Sequence, residues 1–137
     1  MFIVLIKGEE NVKSKDNIFE VEYFYNESID TLGIKVKRDF QYMETIEMDE
    51  GILLDFDIDN VPTALELLNA SEKLRVPKES FEKIHCFKMK VCVDKDSILM
   101  CAIFGFMVPN KDDEYELNYF IENNFDLIPT ETELVIA

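Results

Sequence analysis

The chain has 137 residues and a formal net charge of −15, with 47% hydrophobic and 12% aromatic residues. This is about one domain's length, enough to bury roughly two-thirds of the unfolded surface, and the apolar content is too high for a disordered acidic chain. The charge argues against nucleic-acid binding, which draws affinity from lysine and arginine on phosphate, since the basic residues are scattered except for Lys35, Lys37 and Arg38. A basic protein partner suits this field, although surplus acid also serves solubility alone.

The first ten residues, MFIVLIKGEE, are apolar at the start but carry neither a preceding basic region nor a small-residue cleavage site, and read as a first strand. From Ile18 to Tyr25 the chain alternates, with Phe19, Val21, Tyr23 and Tyr25 on one face and Glu20 and Glu22 on the other. Thr31 to Lys37 alternates again, with Leu32, Ile34 and Val36 inward and Lys35 and Lys37 outward. The two are expected to form an antiparallel hairpin whose outer face pairs glutamate with lysine. A third strand carries Ile46 and Met48 inward and ends in a turn at Gly51, and ILLDF follows as a fourth. The next stretch, PTALELL, is ambiguous: proline suits a first helical turn, and Leu65 and Leu68 stand three apart.

The stretch YNESIDTLGI, with Tyr25, Asp30, Leu32 and Ile34, followed by DFDIDN and ALELLNAS, resembles the YuzE-like domain of unknown function found in small bacterial and archaeal proteins. The resemblance spans Val21 to Leu74. Asn26 stands for that family's aspartate, Gly33 for its aromatic residue, and Asn60 and Ala64 for two of its glycines. It implies that ALELL is a strand paired with ILLDF, and it brings no established activity.

Asp55, Asp57, Asp59 and Glu66 occupy the first, third, fifth and twelfth positions of DFDIDNVPTALE, the acidic spacing of a calcium loop. Against that reading, Asn60 replaces the bend glycine, Pro62 follows, and strands flank the loop. A hairpin turn built on Asp57, Asp59 and Asn60 needs fewer assumptions.

Further on, VPKESFEKI is expected to start a short helix at Pro77, and His85 to Val93 alternates with His85, Phe87, Met89, Val91 and Val93 on one side. The sole histidine has no partner at a catalytic spacing. Cys86, Cys92 and Cys101 show no metal or redox spacing and read as small buried hydrophobes. Ile98 to Val108 is apolar except at Gly105, which asks for cover on both faces. Either the short helix supplies it or a second copy does; a dimer is favoured, with Ile98, Met100, Phe104 and Phe106 as interface candidates. Tyr115 to Glu122 fits strand or helix, and Glu131 to Ala137 a last edge strand.

The expected fold is α+β, mainly antiparallel sheet with one or two short helices. Residues 1–76 form the YuzE-like domain with its added N-terminal strand, and residues 77–137 a helix and hairpin extension sharing one core. Glycine-rich phosphate loops, nucleophile elbows and zinc-helix motifs are absent from the sequence. The expected function is a cytoplasmic, non-enzymatic, acidic protein-interaction module without cofactor, not bound to nucleic acid or membrane. The alternative is a small-ligand or divalent-metal binder, or a minimal enzyme whose groups converge only in three dimensions.

Overall fold

The computed structural model describes residues 17–106 and 114–136. The first strand expected in MFIVLIKGEE, and Met107 and Val108 of the apolar run, lie outside those residues.

Alternation becomes strand at once in β1 (Ile18–Asn26) and β2 (Thr31–Val36), which pair antiparallel. Their register sets Glu22 opposite Lys35, and Lys37 Nζ lies 3.4 Å from Glu20 Oε2. Strands β3 (Tyr42–Asp49), β4 (Ile52–Asp57) and β5 (Pro62–Leu68) follow, and Gly51 takes the turn between β3 and β4 with φ of 72°. PTALELL is a strand because it lies between β4 and β2 and pairs with both, so two ladders of backbone hydrogen bonds override its helical propensity. Gly33 on β2 sits beneath the Phe24 ring, where a Cβ would stand 2.5 Å from a ring atom. The aromatic ring covers the glycine, much as rings are used to shield strand glycines in built sheets.

After the single turn of α1 (Ala70–Leu74) come β6 (Ile84–Val93), β7 (Ser97–Phe106), β8 (Glu114–Glu122) and β9 (Thr130–Val135). The strand order β3-β4-β5-β2-β1-β9-β6-β7-β8 makes one curled sheet whose outer strands, β3 and β8, come back towards each other without ladder hydrogen bonds. One buried cluster fills it from Val21 to Leu134, with Phe56, Phe81, Phe87 and Phe104 among its largest members.

The α+β expectation is therefore corrected: the described residues are nearly all β. The helix expected at Pro77 is a five-residue 3-10 turn, Lys78–Glu82, that inserts Phe81 beside Tyr25, ring centroids 4.5 Å apart. The last strand is not an edge, since β9 lies between β1, to which it runs parallel, and β6.

The dimer-interface candidates are also corrected. Ile98, Met100, Phe104 and Phe106 are at most 2% exposed and face the core of their own chain. The outer face of β7 carries Leu99, Cys101 and Ile103, flanked by Cys92 and Phe120, Lys90 and Asn118, and Lys88 and Glu116. Long lysine stems and a neighbouring ring thus border this half-exposed apolar row. His85 is exposed because the register slips between Ile84 and Cys86, turning it away from the face of Phe87.

Within the core, Thr132 is 2% exposed and its Oγ1 has no hydrogen-bond partner. A desolvated hydroxyl without a partner costs about 1–3 kcal/mol, so Thr132→Val is expected to raise stability by about 1 kcal/mol in urea unfolding.

Candidate functional site

The site begins in the DFDIDN turn. Asp57 is buried, and its Oδ1 accepts the backbone N–H of Asp59 at 2.9 Å and of Val61 at 3.0 Å, while Arg38 Nη2 approaches Oδ2 at 3.6 Å. Asn60 takes the left-handed position with φ of 64°, which a short polar side chain tolerates. Asp55 accepts Thr45 Oγ1 at 2.6 Å, Asp59 is exposed, and Glu66 lies on the outer face of β5 opposite Leu53 and Gly33. Among the described residues, no three His, Cys, Asp or Glu side chains are grouped so as to hold a metal. The Asp57 carboxylate instead organises its own turn.

That turn reaches across the seam between β3 and β8. Asn60 Oδ1 accepts the Ile128 N–H at 2.9 Å, Asn60 Nδ2 lies 3.9 Å from Met43 Sδ, and the Ile58 N–H donates to the Gln41 carbonyl. Three distant segments therefore meet at one end of the seam. The segments that meet here, with the neighbouring end of β8, carry six of the large exposed apolar side chains, Tyr42, Met43, Ile58, Phe120, Phe125 and Ile128, with Phe120 67% and Ile128 65% exposed. Beside them a groove of about 580 Å³ is lined by Glu47, Phe120, Ile121, Glu122, Asn124 and Phe125.

Glu47 and Glu122 line the groove, and Glu44, Asp59 and Asp126 adjoin Met43, Ile58 and Phe125 in the chain; among the described residues none of these five is in an ion pair. Of the bridged cations, Arg38 stands at this turn against Asp57, whereas Lys37 pairs with Glu20, Lys88 with Glu133 and Lys90 with Glu131 away from it. Burial, with the Asp49 charge across the seam, pushes the Tyr119 phenol above its ordinary range. An exposed apolar surface with acidic side chains beside it can bind a group that is cationic at its rim and apolar at its centre.

The patch was hidden in the sequence because its residues are far apart. A signal existed: Phe120 breaks the polar face of a strand that otherwise shows Glu114, Glu116, Asn118 and Glu122, and Ile58 interrupts an acidic turn. Replacing Asn60 with glycine is expected to keep the turn but free Ile128. Amide exchange at Ile128 should then quicken while the core amides stay protected.

Two other clusters are structural. Tyr25 Oη donates to Asp30 Oδ1 at 2.6 Å, and Ser71 Oγ to Asp30 Oδ2 at 2.7 Å, tying the β1–β2 turn to α1. The three cysteines are free and half-buried on the outer face, which corrects the expectation of buried hydrophobes; burial and Glu131 raise the Cys92 thiol. No helix among the described residues is long and apolar enough to cross a membrane.

Residues 22–71 match a family described as "Protein of unknown function (DUF2283)", a span that covers most of β1, all of β2 to β5 and the start of α1. A stretch of 88 residues, 64% of this chain, is 33% identical to a protein of Methanosarcina mazei called "Putative hypoxanthine phosphoribosyltransferase", over 68% of that protein. The chain belongs to the same family as this archaeal protein. No solved structure matches it.

Proposed function

We propose that the chain is a non-enzymatic protein-interaction module that holds a basic partner on the patch at the end of the β3–β8 seam. The single observation that supports this reading is the exposure of Tyr42, Met43, Ile58, Phe120, Phe125 and Ile128 on segments that meet around the Asn60 turn and the groove of Glu47 and Glu122, whose carboxylates are in no ion pair among the described residues. Solvated apolar area of this kind costs solubility unless something uses it. The YuzE-like likeness and a cytoplasmic location stay with this reading.

The archaeal relative's description raises phosphoribosyl transfer as a second reading. A diphosphate needs a cradle of backbone N–H groups at a helix N-terminus or in a glycine-rich loop. The four glycines, Gly8, Gly33, Gly51 and Gly105, are isolated from one another, and α1 has only five residues. The acidic groove would also repel a phosphate ester. These residues do not fit that chemistry, so the interaction reading is preferred.

The test is capture of the tagged full chain from its native cells beside Phe120→Asp and Ile128→Asp. A stoichiometric basic protein retained by the parent and lost from both variants, with unchanged thermal unfolding, is the expected result. Equal retention by all three chains would refute the assignment of the surface.

A further inference from the structure

We infer that the groove over the β3–β8 seam takes one arginine side chain of the basic partner, its guanidinium lying on an exposed phenylalanine ring and bridging Glu47 and Glu122. This rests on the interaction reading above and names the group that anchors the partner.

Two strands and one loop build the groove. On β8, Phe120 and Glu122 stand two residues apart and so leave the same outer face. On β3, Glu47 lies between the buried Ile46 and Met48 and points outward as well. Residues of β3 and β8 come within 8 Å at Cα, so the seam is narrow and Glu47 joins the β8 pair around one groove. The loop after β8 adds Asn124 and Phe125. Asn123 fixes that loop: its Oδ1 accepts the N–H groups of Phe125 and Leu127, each at 3.3 Å, and its Nδ2 donates to the Asp94 carbonyl at 2.9 Å and the Leu127 carbonyl at 3.1 Å. The groove is therefore shaped before anything enters it, which lowers the ordering cost of binding.

Its chemistry selects the occupant. Among the described residues neither Glu47 nor Glu122 is in an ion pair, and Glu47 Oε2 accepts only the Gly51 N–H, at a long 3.4 Å. Lys73, beside Gly51, donates instead to the Leu68 carbonyl. Two carboxylates next to two rings call for a cation with an apolar face. Phe120 is 67% and Phe125 38% exposed, so the groove is open to water. A lysine ammonium, compact and strongly hydrated, keeps its water in such a place. A guanidinium is planar and weakly hydrated, and its five donors form a fixed fork, so its face can rest on a ring while its edge reaches both carboxylates. The volume of about 580 Å³ also admits the residues that flank the arginine. A second copy of the chain, at −15, would bring acid to acid.

The probe is a capped peptide, Val-Ala-Arg-Ala-Val, titrated into the isotopically labelled full chain and followed by NMR shifts, beside the same peptide with lysine or citrulline at its centre. Saturable shifts at Glu47, Phe120, Glu122, Asn124 and Phe125 are expected, with a dissociation constant on the order of millimolar for this single anchor. The lysine peptide should bind about fivefold more weakly and the citrulline peptide, planar but uncharged, about tenfold. Glu47→Gln with Glu122→Gln should weaken the arginine peptide by about fivefold. Phe120→Leu keeps an apolar side chain and should bring the arginine and lysine peptides within about twofold of each other. Equal binding of those two peptides by the parent chain would reduce the groove to charge attraction and overturn the inference. Shifts that fall outside the groove, or none at about ten times the expected constant, would overturn it too. A captured partner lost from Phe120→Asp and Ile128→Asp but kept by Glu47→Gln with Glu122→Gln would sink the arginine anchor and leave the interaction surface standing. Equal retention by the parent, Phe120→Asp and Ile128→Asp would sink the surface itself.

Discussion

Asp30→Ala is expected to lower stability by about 3 kcal/mol, measured by urea unfolding at neutral pH. Asp30 is 8% exposed, and its carboxylate accepts Tyr25 Oη, Ser71 Oγ and, at 3.1 Å, the Ser71 N–H. The neighbouring Asp30 carbonyl accepts the Ala70 N–H at 2.9 Å. Because α1 has no cap from Asn69, a residue about forty positions earlier satisfies its first amides. Truncation leaves a phenol, a hydroxyl and an amide with poor access to water. Asp30→Asn keeps the shape and the left-handed backbone but puts an NH2 where one donor pointed, so it should lose less than alanine does.

The pH dependence of the same cluster has a definite sign. Burial opposes ionisation of Asp30, but hydrogen bonds from Tyr25 and Ser71 outweigh it and hold the carboxyl below its usual value. Its stabilising contribution is present above the unfolded carboxylate pKa of about 3.9 and is lost as pH falls through the folded value. Burial, and then the bond to Asp30, raise the Tyr25 phenol well above 10.0. That contribution is complete below 10.0 and falls away as pH rises towards the folded value. Asp30→Ala should therefore flatten the loss of stability on the acid side, and Tyr25→Phe the loss on the alkaline side. Acid and alkaline unfolding curves that keep their shape in both variants would contradict this assignment.

Phe104→Glu is expected to unfold the protein and not merely to change its association state. Phe104 is fully buried, with ring centroids 5.0 Å from Phe87 and 6.2 Å from Phe106. Truncation to alanine at such a site costs about 3–5 kcal/mol, and a carboxylate adds the penalty of a buried charge without a partner. Against a total stability of about 5–15 kcal/mol this is decisive. Leu99→Glu, on the outer face of the same strand, should cost less than about 1 kcal/mol. Far-ultraviolet circular dichroism with sedimentation separates the outcomes: a folded Phe104→Glu chain that simply becomes smaller would restore the interface reading of β7.

Much of the first half could be read from the residues because its pairings are local. The β1–β2 hairpin follows from two short alternating runs, and the position of Asn60 follows from its tolerance of positive φ. Three elements resisted for different reasons. PTALELL has helical composition, and its strand, paired with ILLDF as the YuzE-like resemblance implied, could be read from that resemblance and not from propensity. The interface candidates of β7 turned out to be core because sequence does not say which face of an all-apolar run turns inward, nor that Lys88, Lys90 and Phe120 flank the other. VPKESFEKI folds as a 3-10 turn because docking Phe81 between Tyr25 and Phe106 matters more there than extending a helix. The patch was the least legible feature, since its members come from β3, the turn after β4, β8 and the loop before β9. Adjacency of that kind is a property of topology.

The placement of β9 has a consequence for how the chain reaches its native state. Its short parallel register with β1, Ile18 to Glu20 against Glu133 to Val135, joins residues more than a hundred positions apart. Strands β1 to β5 close through nearby turns or a short crossover, and β6 to β8 form successive antiparallel pairs. Each group can collapse early at low loop-closure cost, whereas the β1–β9 contact must wait until both have formed. Refolding is therefore expected to end in a slow docking of two preformed halves. Until that step is complete, the backbone edges of β1 and β9 remain open to the wrong neighbour, and crowded refolding at high concentration should lose yield at this stage above all.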